Sequence, residues 1–239
     1  MSHRFFSIVI PAHNEELVID RTLRLIQELD YPRDRYEIIV VENGSTDATY
    51  EKAKLHESEN LTVYIAPQKG VSRARNFGFT KCSPATEWYI FMDCDVFVEK
   101  SLLREVSIYL DTHPEAGYGT TTVNLDNDSI KARFWSRFNN FFYRLFKVLF
   151  TIHIVRKDFA MQVIYDENLV SGEDIQYGRD LAKLDAKHFF IPTKSVRSSD
   201  RRFVQKGYFG MFFINLYHGI TMFILPEGIL EKINWEVIR

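Results

Sequence analysis

Short apolar runs mark the first hundred residues: FFSIVIP (5–11), YEIIVVE (36–42), LTVYIAP (61–67) and EWYIFMD (87–93). Each is continuous rather than alternating and rich in Ile, Val, Tyr and Phe, the pattern of strands covered on both faces. Helical spacing lies between them. NEELVIDRTLRLIQELD sets Leu17, Val18, Thr22, Leu25, Ile26 and Leu29 on one face. STDATYEKAKLHES opens on Ser45 and Thr46 as cap residues, with Asp47 behind them. GVSRARNFGF and VEKSLLREVSIYLDTHP predict two more helices. Alternating strands and helices at this spacing imply an α/β fold with a mostly parallel, helix-flanked sheet. Such sheets bind ligands beyond the carboxyl ends of their strands. Here those ends carry PAHNE, ENGSTD, PQKG and DCD.

The second half is patterned differently. Residues 129–150, SIKARFWSRFNNFFYRLFKVLF, predict a helix with Phe134, Trp135, Phe138, Phe141, Phe142, Leu145 and Leu149 among Lys131, Arg133, Arg137, Arg144 and Lys147. It holds no acidic residue. Such a helix lies in a membrane interface with its cations near anionic headgroups, or it buries the stripe in the protein core. Residues 207–226 carry no formally charged side chain, a length that would permit a span. Asn215, His218 and the glycines interrupt that stretch and Pro226 ends it, so a shallow or re-entrant apolar helix is expected. SGEDIQYGRDLAKLDAKHFFIP reads as a helix from Asp174 to Leu184, with Ile175, Leu181 and Leu184 in step, and then a strand.

Composition narrows the class. The chain has 239 residues, 46% hydrophobic and 26% charged, enough for one large domain or two small ones. A formal charge of −2 gives no bulk attraction to nucleic acid. Cys82 and Cys94 make no disulfide framework, and the N-terminus reaches charged residues too soon for a signal peptide. Both point to a cytoplasmic protein, with peripheral contact on the cytoplasmic face of a membrane through the aromatic segments.

The candidate chemistry is acidic. FMDCDV ends an apolar run with Asp93 and Asp95 either side of Cys94, and buried carboxylates need a cationic partner. Strand residues at i and i+2 share a face about 6.6 Å apart, so a bend could bring both acids to one divalent ion. Carboxylate oxygens suit Mg²⁺ or Mn²⁺, whose shells are completed by substrate phosphates and water. Two solvated aspartates opening a helix near Val98 are the plain alternative. Glu173 and Asp174 open a predicted helix, where the dipole favours them as caps and where one could equally serve as a base.

SIVIPAHNEE, VVENGSTDAT, GVSRARNFG, FMDCDV and GEDIQYGRDL, in this order, resemble family 2 glycosyltransferases of the GT-A fold over about residues 5–205. The resemblance implies a Rossmann-like domain at 1–205, with a nucleotide-binding half (1–112), an acceptor half (113–205) and an apolar helical segment at 206–239. It implies inverting transfer of a sugar from a nucleotide-diphosphate donor, a UDP-sugar, with Mn²⁺ or Mg²⁺ at Asp93 and Asp95. Pro11, Ala12, Asn14 and Glu15 would line the nucleotide pocket. Glu42 stands where the family usually has Asp beside base or ribose. Arg73 and Asn76 would border donor phosphate and sugar, and Arg201 and Arg202 resemble an arginine segment that closes over the diphosphate. Asp174 would be the general base and Glu173 its orienting partner. A carbohydrate or a lipid-linked hydroxyl or phosphate would be the acceptor.

Two rivals stay open. Nucleotidyl transfer lacks its Gly-rich loop with lysine after the first strand. A non-catalytic GT-A-like module at a membrane surface would not need Asp93, Asp95 and Asp174 intact.

Overall fold

The computed structural model describes residues 3–169, 171–208, 210 and 211. Strands β1 (Phe6–Ala12), β2 (Tyr36–Glu42), β3 (Leu61–Ile65) and β4 (Trp88–Met92) fill the predicted runs. They are followed by β5 (Val96–Val98), β6 (Ala116–Thr121), β7 (Asn124–Leu125), β8 (Ile152–Arg156), β9 (Lys187–Ile191) and β10 (Val196–Ser198). The main sheet has the order β3-β2-β1-β4-β8-β6-β9, and only β8 runs against the rest. A small sheet, β5-β10-β7, lies beside it. The sheet is mostly parallel, as the continuous apolar runs require.

Helices cover both faces. Packed on one are α1 (Ile19–Gln27), α2 (Thr49–Lys54) and α4 (Leu102–Thr112), which bury Leu23, Ala53 and Val106 against Ile8, Ile38 and Ile90. On the other are α3 (Val71–Phe79), α6 (Lys157–Ala160) and α7 (Glu173–Lys183), whose Ala74, Ala160 and Tyr177 meet Val9, Tyr89 and Phe91. The approach of α3 depends on Gly78, where a Cβ would stand 2.5 Å from Val9 Cγ1. Helix α5 (Ile130–Phe146) rests on β7.

Some local expectations are corrected. The first helix begins at Ile19, not within the asparagine–glutamate pair, so Leu17 is 85% exposed and the buried stripe is Ile19, Thr22, Leu23 and Ile26. Asn14 has φ 52°, and the Glu15 carbonyl accepts from Val18 and Ile19, so a turn precedes the helix. The second helix begins at Thr49. Its end is held by the Asp47 carboxylate, which accepts the Thr49 N–H at 3.0 Å; Ser45 and Thr46 turn away towards Asn14. No helix opens at Val98, because that residue ends β5. Most of the predicted apolar helix at 207–226, including His218, lies outside the described residues. Among those described, no helix is long and apolar enough to cross a membrane.

The topology fixes where a ligand can enter. The chain runs outward through β1, β2 and β3, then returns to place β4 on the opposite side of β1. A crevice opens at such a reversal, beyond the strands' carboxyl ends. β1 pairs with β2 as far as Ala12–Glu42 but with β4 only as far as Val9–Phe91, so the sheet parts between β1 and β4. Pro11, which has no N–H to give, falls beyond that last β4 pair.

Candidate active site

Acids and arginines gather at the parting of β1 and β4. β4 stops at Met92, and the chain turns through Asp93, Cys94 and Asp95 before β5. The turn is pinned from both sides. Asp93 N–H donates to the Thr151 carbonyl at 3.0 Å, and Ser199 N–H donates to the Asp95 carbonyl at 2.9 Å. Beneath, the Thr22 hydroxyl donates to the Cys94 carbonyl at 2.6 Å. Cys94 itself is buried in the core, as its position between two surface-seeking acids predicts.

The two aspartates serve different clusters. Asp93 Oδ1 accepts from Arg75 Nη2 at 2.8 Å. The other arm of the Arg75 guanidinium donates to Glu173 Oε1 at 3.0 Å and Asp174 Oδ1 at 2.8 Å. Arg75 thus joins the end of β4 to the start of α7, with only 2% of its side chain exposed. On the other side, Arg201 reaches Glu15 Oε1 at 2.6 Å and Asp95 Oδ2 at 3.5 Å, and is 21% exposed. Arg202, its exposed neighbour, acts on Glu15 and Asp95 through charge alone.

Glu15, Asp95, Glu173 and Asp174 are held at high proton affinity. Burial raises the Glu173 carboxyl to about 7, and the Asp174 charge adds to it against the pull of Arg75. Burial raises Asp174 as well, opposed by Arg75 and reinforced by Asp93. Glu15 rises to about 7 by burial in spite of Arg201, and Asp95 rises by burial and the charge of Asp93. Burial is the main cause, and the guanidiniums of Arg75 and Arg201, shared among Glu15, Asp93, Asp95, Glu173 and Asp174, offset it only in part. Among the described residues, no three His, Cys, Asp or Glu side chains converge on one point. A divalent ion here would therefore hold two carboxylates and take its other oxygens from ligand and water, which is how Mg²⁺ is commonly bound. Carboxylate oxygens are the donors such an ion takes.

The expected nucleotide residues stand around the same parting. Pro11 and Ala12 are buried in β1. Asn14 ties the loops together, donating its N–H to Ser45 Oγ at 3.1 Å and accepting Thr46 N–H on Oδ1 at 2.8 Å. Its positive φ suits asparagine better than most residues. Glu42 is buried at the end of β2 and accepts the Ser45 N–H. Arg73 and Asn76 are turned elsewhere. Asn76 clamps the backbone of Tyr165, accepting its N–H at 3.0 Å and donating to its carbonyl at 2.9 Å. Arg73 is paired with Glu167 at 3.5 Å.

Arg75, beside Asn76 on the same helix, joins the acids, and the sequence reading passed it over. Its signal was present: Ser72, Arg75 and Gly78 recur at i, i+3 and i+6, so an arginine sits in the buried stripe of a helix. Other residues also escaped notice. Asn43 Oδ1 accepts the Gly70 N–H at 2.8 Å and links the loops after β2 and β3. His13 is buried beside Asn14, with both ring nitrogens unpartnered. His153 and Tyr165 lie behind Asp174.

The long aromatic helix is turned inside out. Its buried side is Ala132, Ser136 and Asn140, one residue per turn. Ser136 Oγ accepts the Leu125 N–H at 2.9 Å, and Asn140 both accepts from Val123 N–H at 2.9 Å and donates to the Val123 carbonyl at 2.7 Å. Polar bonds attach the helix to the body, while Phe134, Phe141 and Leu145 are 62%, 63% and 58% exposed. These residues do not enter the core, whereas Leu149, the last of the expected stripe, is buried in it.

Known proteins agree with this architecture. The profile described as glycosyl transferase family 2 matches residues 7–168. Glycosyltransferase AglE of Haloferax volcanii is 30% identical over 182 residues, 72% of this chain and 60% of its own length. A dolichyl N-acetyl-alpha-D-glucosaminyl phosphate 3-beta-D-2,3-diacetamido-2,3-dideoxy-beta-D-glucuronosyltransferase of Methanococcus voltae is 24% identical across 84% of this chain and 70% of its own. The solved structure of Staphylococcus aureus TarS residues 1–349 with UDP-GlcNAc superimposes with a TM-score of 0.68 at 20% identity, covering 82% of this chain and 58% of that one. Mannosyltransferase PcManGT of Pyrobaculum calidifontis, solved with GDP-Man and Mn²⁺, gives 0.64 at 20% identity over 83% and 57%. These structural matches show the fold, GT-A. The chain spans only about 60% of the length of the first of these relatives.

Proposed function

The chain belongs to glycosyl transferase family 2, and from that premise we propose that it transfers a sugar with inversion from a UDP-sugar to a lipid-linked hydroxyl or phosphate. One observation carries the proposal: an excess of buried carboxylates over arginines at the open end of the β1–β4 crevice. Asp93 and Asp95 would hold Mn²⁺ or Mg²⁺. Such an ion, when bound, neutralises the charge that develops on a departing nucleoside diphosphate.

The chain's own residues divide the remaining work. Pro11, Ala12, Asn14, Glu15 and Glu42 shape the nucleotide side. Arg201 sits where its fork can leave Glu15 and Asp95 for phosphate oxygens, with Arg202 beside it. Asp174 takes the proton of the acceptor hydroxyl as that oxygen attacks the anomeric carbon and the bond to the diphosphate breaks. Glu173 and Arg75 hold Asp174 in place. Roles for Arg73 and Asn76 at the donor require both to release Glu167 and Tyr165, so we assign those two to the loop instead.

The acceptor class follows from α5. Its exposed phenylalanines and leucine beside Arg133, Arg137 and Arg144 match the layered chemistry of an anionic bilayer surface. The helix brackets the site: its start follows β7, which pairs with β10 at Ser198, and its end precedes Thr151, the anchor of Asp93. AglE and the Methanococcus enzyme are named glycosyltransferases, and the latter's name includes a dolichyl phosphate sugar.

A panel of UDP-, GDP- and dTDP-sugars, with and without Mn²⁺, tests the proposal. Mn²⁺-dependent release of UDP from a UDP-sugar is expected. Nucleotide binding with no turnover of any donor would leave a non-catalytic module instead. Flotation with phosphatidylglycerol vesicles tests the membrane part, and protein wholly absent from the vesicle fraction would overturn it.

A further inference from the structure

Asp174 is backed by a buried imidazole that the proposed chemistry does not otherwise use. His153 lies on β8, opposite Phe91 of β4, and is almost wholly enclosed. Its Nδ1 is 2.6 Å from the Tyr165 hydroxyl, and its Nε2 is 3.5 Å from Asp174 Oδ1. That Nε2 has no hydrogen bond in the ligand-free chain. A buried polar atom without a partner costs about 1–3 kcal/mol, so one aimed at a candidate base calls for a reason.

Tyr165 is itself fixed from every side. Asn76 clamps its backbone, its ring stacks on Tyr177 of α7 at 4.0 Å, and the Arg75 guanidinium lies 5.1 Å from its ring centre. The groups facing His153 are therefore Tyr165 from the connection after α6, Asp174 from α7, Arg75 from α3 and Asp93 beyond β4. Burial and the Arg75 charge hold the ring neutral, at a pKa of about 3. A neutral ring has one N–H. Facing a carboxylate, the favourable tautomer carries it on Nε2, which makes Nδ1 an acceptor and Tyr165 O–H its donor.

Resting on the reading of Asp174 as base, we propose that Tyr165 and His153 form a relay whose Nε2–H closes on Asp174 Oδ1 and aims Oδ2 at the acceptor. Arg75 addresses the same Oδ1. With Arg75 and His153 on one oxygen, the proton is taken by the other. His153 and Tyr165 are positioning residues, and neither touches the sugar.

The relay predicts a tautomer that can be seen without any turnover. Long-range ¹H–¹⁵N spectra of the full chain labelled in histidine should show His153 protonated on Nε2 at pH 7, and Tyr165→Phe should shift its Nδ1 resonance. An Nδ1–H tautomer, or no response to Tyr165→Phe, overturns the relay whatever the enzyme assay gives.

A kinetic arm uses UDP-GlcNAc and whichever other nucleotide sugar of the panel is turned over. His153→Phe should lower kcat about 10²-fold, the size expected when a reacting group is misplaced by an ångström, with donor KM unchanged. His153→Gln, which can present an amide N–H to Asp174, should recover most of the loss. Equal loss in the two variants, at equal melting temperatures, overturns the relay. Absence of turnover in the unsubstituted protein counts against the transferase reading alone, since the tautomer is measured separately.

Discussion

The two arginines at the mouth of the sheet differ in ways that separate their duties. Arg75 comes from the inner face of α3 and is sealed among three carboxylates at 2.8–3.0 Å. Arg201 comes from the helical stretch 201–208 after β10, remains partly exposed, and holds Asp95 only at 3.5 Å. A sealed guanidinium cannot leave without stranding buried charge, whereas one at the rim can exchange a carboxylate for a phosphate. On the proposed assignment, the acceptor side of the site would be preformed and the donor side adjustable.

Substitutions can break this division. The largest expected effect is on the preformed side: Asp174→Asn should lower kcat by about 10²–10⁴-fold, the usual yield of a general base, while UDP affinity by calorimetry stays within a factor of two or so. Arg75→Met should cost about 3–5 kcal/mol of stability, because it leaves three partly buried acids without their cation, and urea melts would register it. Arg201→Met should cost less stability, because the Arg202 charge remains beside Glu15 and Asp95, and should weaken UDP binding about tenfold, the value of one charged hydrogen bond. A collapse of stability in Arg201→Met, or none in Arg75→Met, would erase the distinction.

Proton concentration sharpens the comparison. As the proposed base, Asp174 would act only when ionised, and its raised proton affinity puts the expected rise of kcat with increasing pH near 6 rather than near 4. A pH profile of donor turnover checks this, and a flat profile from pH 5 to 8 would remove Asp174 from the rate. The smallest effect expected is at α5, where Arg133→Gln should reduce partitioning onto phosphatidylglycerol vesicles about fivefold, one basic residue contributing about 1 kcal/mol. Turnover of a water-soluble donor should be unchanged in that variant.

How much was legible in advance varied with the kind of signal. Continuous apolar runs located β1 to β4, because strands buried on both faces have no polar side to confuse the pattern. The carboxyl-end clusters placed Glu15, Asp93 and Asp95 together, since parallel strands end on one rim. Arg75 was missed because an arginine beside asparagine and two positions from another arginine reads as surface charge until the helix is seen to bury that side. Ser45 and Thr46 misled as caps because Asn14, distant in sequence, competes for them. The aromatic helix was ambiguous for a related reason: an apolar stripe states that it avoids water, and says nothing about what replaces it.

Sequence alone determined the period of each segment, the order of strands and helices, and the acids that any parallel arrangement would bring to one edge. These follow from local spacing and from the rule that buried faces are apolar. Only the tertiary structure decided which cation meets which acid, that α5 attaches by its polar side, and that an unpaired imidazole nitrogen stands behind Asp174. Such pairings depend on contacts between residues up to 186 positions apart, as in Glu15 with Arg201, and no local pattern in a chain encodes its distant partners.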